Sequence, residues 1–148
     1  MFKKALITKI LVPVDGSKPS LEAAKLALDL AKERKAKVIA LHAIRMSFAF
    51  PPESKSKAQI PPKEEVKAAE SYVSNVRKMG KRVGVDVETK VVESCPSVVD
   101  TICDFARNEK CDLIVMGTRG RAGIGHFRLG GVATGVVTYA PCTVVVVR

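Results

Sequence analysis

The chain has 148 residues, 47% hydrophobic and 27% charged, which are the proportions of a soluble globular protein large enough to bury a core. No apolar run approaches the roughly 20 residues needed to cross a bilayer, which argues against a membrane span. The net charge is +10, from 25 basic and 15 acidic residues, but no DNA- or RNA-binding motif accompanies it. The excess therefore reads as a lysine-rich solvated surface, and nucleic acid is not the expected partner.

The start, MFKKALITKILVPVD, sets basic residues ahead of apolar ones, as a signal peptide does. Lys9 interrupts the apolar part and no small-residue cleavage site follows, so the stretch reads as a first strand, Ile10 to Val14, of a cytoplasmic protein. Asp15 then falls just past the carboxyl end of that strand, the edge that faces ligands in a parallel sheet. Ser17 or Ser20 can cap the helix that follows, and Pro19 suits its first turn. Leu21, Ala24, Leu28 and Ala31 recur at helical spacing, and the helix runs to about Arg34. Val38 to Ile44, nearly all apolar, predicts a strand covered on both faces. His42 inside it reads as a core or edge histidine bonded to backbone.

Residues 45–62 change character. Pro51-Pro52 and Pro61-Pro62 bracket a polar segment, which predicts a long loop within a single 1–148 domain. A second helix is expected from Lys63 to Val83, with Glu64 and Glu65 at its positive end and Val66, Ala69, Val73 and Val76 as its buried stripe. Gly80 or Gly84 ends it. Val85 to Val92 alternates as a third strand. Ser94-Cys95-Pro96 is expected to begin a third helix, with Val98, Val99, Ile102, Phe105 and Ala106 as its apolar face. Asp112 to Met116 predicts strand four, Val132 to Tyr139 helix four and Thr143 to Val147 strand five. Strands and helices alternate throughout, so the predicted fold is α/β: a five-stranded, doubly wound parallel sheet with helices on both faces.

The cysteines, Cys95, Cys103, Cys111 and Cys142, form no C-x-x-C pair, and His42 and His126 are the only histidines. Buried reduced thiols are expected, and no metal site. Seven of the ten glycines fall between Gly117 and Gly135. Glycine is required where backbone takes positive φ or closely approaches a phosphate, and a helix N-terminus after such a loop favours anions. Arg119, Arg121 and Arg128 add charge to it. The other reading is a flexible glycine-rich loop without ligand. No P-loop and no nucleophile elbow occurs, and Gly123-Ile124-Gly125 lacks the third glycine of a dinucleotide fingerprint.

The chain resembles the universal stress protein family along its whole length. The resemblance rests on LVPVDGS at 11–17, LHAI at 41–44, CDLIVMGTRG at 111–120 and LGGVATGVVTYAPCTVVVVR at 129–148. It implies a Rossmann-like sheet similar to the adenine nucleotide alpha hydrolases, and ATP, with Mg2+, as the bound cofactor. The family signature is G-x2-G-x9-G followed by Ser or Thr, and Gly117, Gly120 and Gly130 match its glycines. By the same resemblance adenine and ribose lie against Pro13, Val14, Asp15 and Ala43, with Asp15 accepting from the ribose hydroxyls. The phosphates lie against Met116, Gly117, Arg119, Gly120, Gly130, Gly131, Val132 and Ala133. A homodimer through Thr143 to Val147 is implied too, and a protein partner of unknown identity. The hydroxyl position of the signature is here Gly131, a departure worth roughly 1.5–3 kcal/mol of a charge-assisted bond. Three functions follow: a nucleotide-dependent stress-response regulator, a slow ATP hydrolase with no evident general base, and a nucleotide-free dimeric interaction module. No catalytic residue is assigned.

Overall fold

The computed structural model describes residues 6–46, 60–94, 97–118 and 129–148. Along them strands and helices alternate: β1 (Lys9–Pro13), α1 (Lys18–Arg34), β2 (Lys37–Ile44), α2 (Lys63–Val83), β3 (Val87–Glu93), α3 (Val98–Asn108), β4 (Leu113–Gly117), α4 (Gly131–Tyr139) and β5 (Thr143–Val147). The strands form one sheet in the order β3-β2-β1-β4-β5, every pair parallel. The expected doubly wound α/β sheet is therefore the one that forms. Among the described residues no helix is long and apolar enough to cross a membrane.

The sheet divides the core in two. Ile10, Val12, Val38, Ala40, Leu113 and Val115 point to α1 and α2, where they meet Ala24, Leu28, Val73 and Val76. The alternate residues Leu11, Ile39, Leu41, Ile114 and Met116 point the other way, onto Ile102, Ala106, Ala133 and Val136 of α3 and α4. This is why β1, β2 and β4 read as unbroken apolar runs: both faces are covered. Each large side chain so buried contributes about 1.5–3 kcal/mol.

Boundaries follow local chemistry. Ser17 caps α1, its Oγ accepting from the Ser20 N–H at 3.3 Å. The start of α3 corrects the sequence reading. Cys95 and Pro96 lie outside the described residues, and Ser94 extends the sheet by donating its N–H to the Ile44 carbonyl at 2.9 Å. The cap is Ser97, whose hydroxyl accepts from the Asp100 N–H at 3.1 Å and donates to the Asp100 carboxylate. That reciprocal pair stabilises a first turn more than Ser94 can from inside the β2–β3 ladder. Of the two glycines offered as the end of α2, Gly84 takes the role with φ of 76°. Gly80 lies inside the helix, where its lack of a side chain makes room for Val87 and the Val85 carbonyl.

At the amino ends of the strands, Asp112 binds β4 to β1. One carboxylate oxygen accepts from the Thr8 N–H, the Thr8 hydroxyl and the Lys9 N–H at 2.8, 2.7 and 2.9 Å. The Thr8 hydroxyl bond is the main reason its pKa is lowered, and Lys9 adds to the effect. With the folded value below the unfolded one, the stability Asp112 lends is complete above pH ~4 and fades as pH falls through the folded value. Asp112→Ala should cost about 1–2 kcal/mol at neutral pH. Urea melts of both proteins should show that difference shrinking as the pH is lowered into the acid range; a pH-independent difference would disprove the carboxylate's role.

Candidate functional site

The crossover connections reverse direction between β1 and β4. The helix after β1 packs on one face of the sheet and the helix after β4 on the other, so the carboxyl ends of these two neighbouring strands diverge into a cleft. The cleft encloses about 820 Å³, within the range of small-molecule sites. Of the twelve residues expected at a nucleotide site, Pro13, Val14, Asp15, Ala43, Met116, Gly117, Gly130, Gly131, Val132 and Ala133 line it. Arg119 and Gly120 lie outside the described residues, as do the rest of the glycine loop and most of the segment 45–62.

The β1 rim is fixed by a short chain of hydrogen bonds. Val14 donates its N–H to the Leu41 carbonyl at 2.8 Å, which carries the chain one residue past the strand. Asp15 Oδ1 accepts from the Ser17 N–H at 2.9 Å and so shapes the turn through Gly16, whose φ is +80°. A side chain at Gly16 would also overlap the ring of Tyr72. The other Asp15 oxygen bonds to no described residue and is available at the rim. His42 Nδ1 lies 2.6 Å from the Val14 carbonyl oxygen. A carbonyl only accepts, so Nδ1 carries the proton and donates. This is the backbone-bonded histidine expected from the sequence. Tyr72 meets its ring edge-on, 5.3 Å between centroids. Together they build the wall of the cleft on the α2 side.

The β4 rim has a different character. Gly117 needs to be glycine for packing: a Cβ there would sit 2.8 Å from the Pro19 carbonyl carbon and 2.9 Å from the Ser20 nitrogen. The sequence assigns its lack of a side chain to phosphate approach; the neighbour that requires it is the first turn of α1. Thr118 then ties both sides of the glycine loop. Its N–H donates to the Val147 carbonyl at 2.8 Å, and its carbonyl accepts from the Gly130 N–H at 2.6 Å. The nine-residue helix α4 starts at once, with Gly130 as a cap that has no side chain to offer. The N–H groups of Gly131, Val132 and Ala133 donate to no described residue and open on the cleft. An uncapped helix start of this kind attracts anions.

Several lining residues carry no individual signal in the sequence. Leu41, Val99 and Ile102 supply an apolar wall but read as ordinary core. Arg45, Glu65 and Tyr72 come to the cleft only through the packing of β2 and α2. Thr118 sits within the glycine motif and could have been singled out there. Cys103, Cys111 and Cys142, the described thiols, take no part in the lining: burial pushes Cys111 up to about 11 and raises Cys103 and Cys142 as well, so they remain protonated.

A doubly wound sheet with an acidic residue on one rim of the switch point and an uncapped helix start on the other defines the class: a doubly wound α/β protein with a cleft at the carboxyl ends of its strands whose open amides suit an anion. The sequence pattern of the universal stress protein family matches residues 7–148, and the chain belongs to that family. It is 41% identical over 146 residues to Universal stress protein MJ0531 of Methanocaldococcus jannaschii, covering 97% of this chain and 83% of that one. The solved structure of UspA from Lactobacillus plantarum superposes with a TM-score of 0.77 at 26% identity, over 98% of this chain and all of that one (100%). A universal stress protein solved in complex with cAMP superposes at 0.73, again 26% identical, over 97% of this chain and 98% of its own.

The two glycines at the cleft should respond oppositely to the same added methyl group. Gly117→Ala should destabilise the fold by about 1–3 kcal/mol, because backbone has to move. Gly131 has nothing within 4 Å of its would-be Cβ, so Gly131→Ala should be neutral or stabilising by up to ~1 kcal/mol. Chemical denaturation of both variants checks this; equal effects would refute the packing role of Gly117.

Proposed function

We infer that the protein binds ATP, carried as its Mg2+ complex, in the cleft at the β1–β4 switch point, and that it acts as a cytoplasmic, nucleotide-dependent regulator of the stress response. The observation that carries this reading is the pairing of a free Asp15 oxygen on one rim with the uncapped N–H groups of α4 on the other. The apolar wall of Leu41, Val99 and Ile102 suits a base between them. The cleft volume suits a nucleotide, and a relative solved with cAMP supports an adenine compound. Pro13, Val14, Asp15 and Ala43 would hold adenine and ribose. Met116, Gly117, Gly130, Gly131, Val132 and Ala133, with Arg119 and Gly120, would hold the phosphates. Among the described residues no group of three His, Cys, Asp or Glu is placed to hold a metal, so Mg2+ would enter on the phosphates, as it commonly does.

Calorimetric titration of Mg-ATP into the full chain, with AMP as control, should show micromolar ATP binding; no binding by two methods would reject the reading. Asp15→Asn separates the two roles of that side chain. Its amide oxygen still accepts from Ser17 and keeps the turn, while its amino group cannot accept from a ribose hydroxyl. Affinity should fall about tenfold, as expected for the loss of one hydrogen bond to a charged group, with the melting temperature preserved. Unchanged affinity would remove Asp15 from the site.

The partner we propose is a second copy, through β5. This strand is an edge of the sheet, its valines are only half-buried, and Val137 and Tyr139 of the adjacent helix are exposed. An uncovered valine edge invites pairing. Sedimentation should give twice the chain mass; a monomer at micromolar concentration would refute the dimer.

A further inference from the structure

We propose that Thr118 supplies the hydroxyl that binds the nucleotide phosphates, in place of the one absent at Gly131. The proposal deepens the nucleotide reading above and rests on it. Thr118 is only 8% exposed and lines the cleft. Its backbone is fully engaged, N–H to Val147 and carbonyl to Gly130, yet its side-chain hydroxyl bonds to no described residue. No fully buried side-chain oxygen or nitrogen among the described residues lacks a partner. The Thr118 hydroxyl is therefore not fully enclosed, and the cleft that Thr118 lines is the space we assign it to.

Its direction follows from the pleat. Ile114 and Met116 face the α3–α4 side, and Thr118, still in register with β5 through its N–H, is the next residue on that side. The bond from the Gly130 N–H to the Thr118 carbonyl sets Thr118 against the start of α4. The hydroxyl and the uncapped N–H groups of Gly131, Val132 and Ala133 thus face the same anion. Thr118 is more than nine-tenths buried as a residue, and a hydroxyl left without a protein partner at such a position is one that a ligand can satisfy. No described residue comes within 4 Å of a Cβ built at Gly131, so none of them competes for the phosphate on that side.

The test compares the full chain with Thr118→Val, Thr118→Ser and Thr118→Val/Gly131→Ser in titrations with Mg-ATP and with adenosine. Valine keeps the shape and removes only the hydroxyl. Thr118→Val should weaken Mg-ATP about tenfold, leave adenosine binding unchanged, and melt at or above the parent's temperature. Thr118→Ser should bind ATP like the parent, and Gly131→Ser in the double variant should restore what valine removes. Equal ATP affinity in the parent and Thr118→Val overturns this inference alone. So does an equal loss for adenosine, which would place the hydroxyl elsewhere, or a lower melting temperature, which would show a bond within the protein. No ATP or AMP binding by the parent overturns the nucleotide reading and this inference with it.

Discussion

The last residue of β4 presses against the first turn of α1, and the cleft depends on that contact. With no side chain at Gly117, the backbone of one rim rests on Pro19 and Ser20 of the helix that leaves the other rim. The two rims are then a fixed distance apart, without a covalent or metal link. Everything placed on them inherits that spacing: the Asp15 turn, capped into α1 through Ser17, and the Thr118–Gly130 bond that launches α4. The contact lies between backbones, so it holds the geometry more rigidly than a pair of long side chains would.

The opposite ends of the same strands are locked by other means. Asp112 collects three donors from Thr8 and Lys9, and the Lys9 ammonium donates to the Glu109 carbonyl at 2.9 Å. Polar groups there are satisfied within the protein. At the cleft they are left open: an uncapped helix start, a carboxylate oxygen and a threonine hydroxyl that bond to no described residue. A fold that satisfies its polar groups at one end of a sheet and not at the other is spending stability where a ligand is expected.

The sheet was legible in the sequence because its signal is collective. A run such as VIALHAI has few other homes than a strand buried on both faces, and α2 and β5 fall where their patterns end, at Lys63–Val83 and Thr143–Val147. Single-residue decisions were harder. The start of α3 turned on which of two serines, Ser94 or Ser97, had an acidic residue three positions on. Ser97 has Asp100; Ser94 has a strand to belong to. The ten cleft residues could be named because they cluster near strand ends and lie in the segments on which the family resemblance rests. Tyr72 and Glu65 could not, since nothing local in a helix says which strand end its face will overhang.

Gly117, Gly131 and Gly135 show why a glycine motif by itself under-determines function. All three belong to the same glycine-rich stretch. Gly117 makes room for α1, and Gly135 makes room for Val99 where α3 crosses α4; a Cβ at Gly135 would lie 2.6 Å from that side chain. Gly131 makes room for nothing among the described residues. Its absent side chain has no structural beneficiary, and glycine at a helix start forfeits helix propensity. Two of the three are thus explained by the fold before any ligand is considered. Evidence of a bound anion has to come from groups the fold leaves unpaired, which are the amides of α4 and the hydroxyl of Thr118, and not from the count of glycines between them.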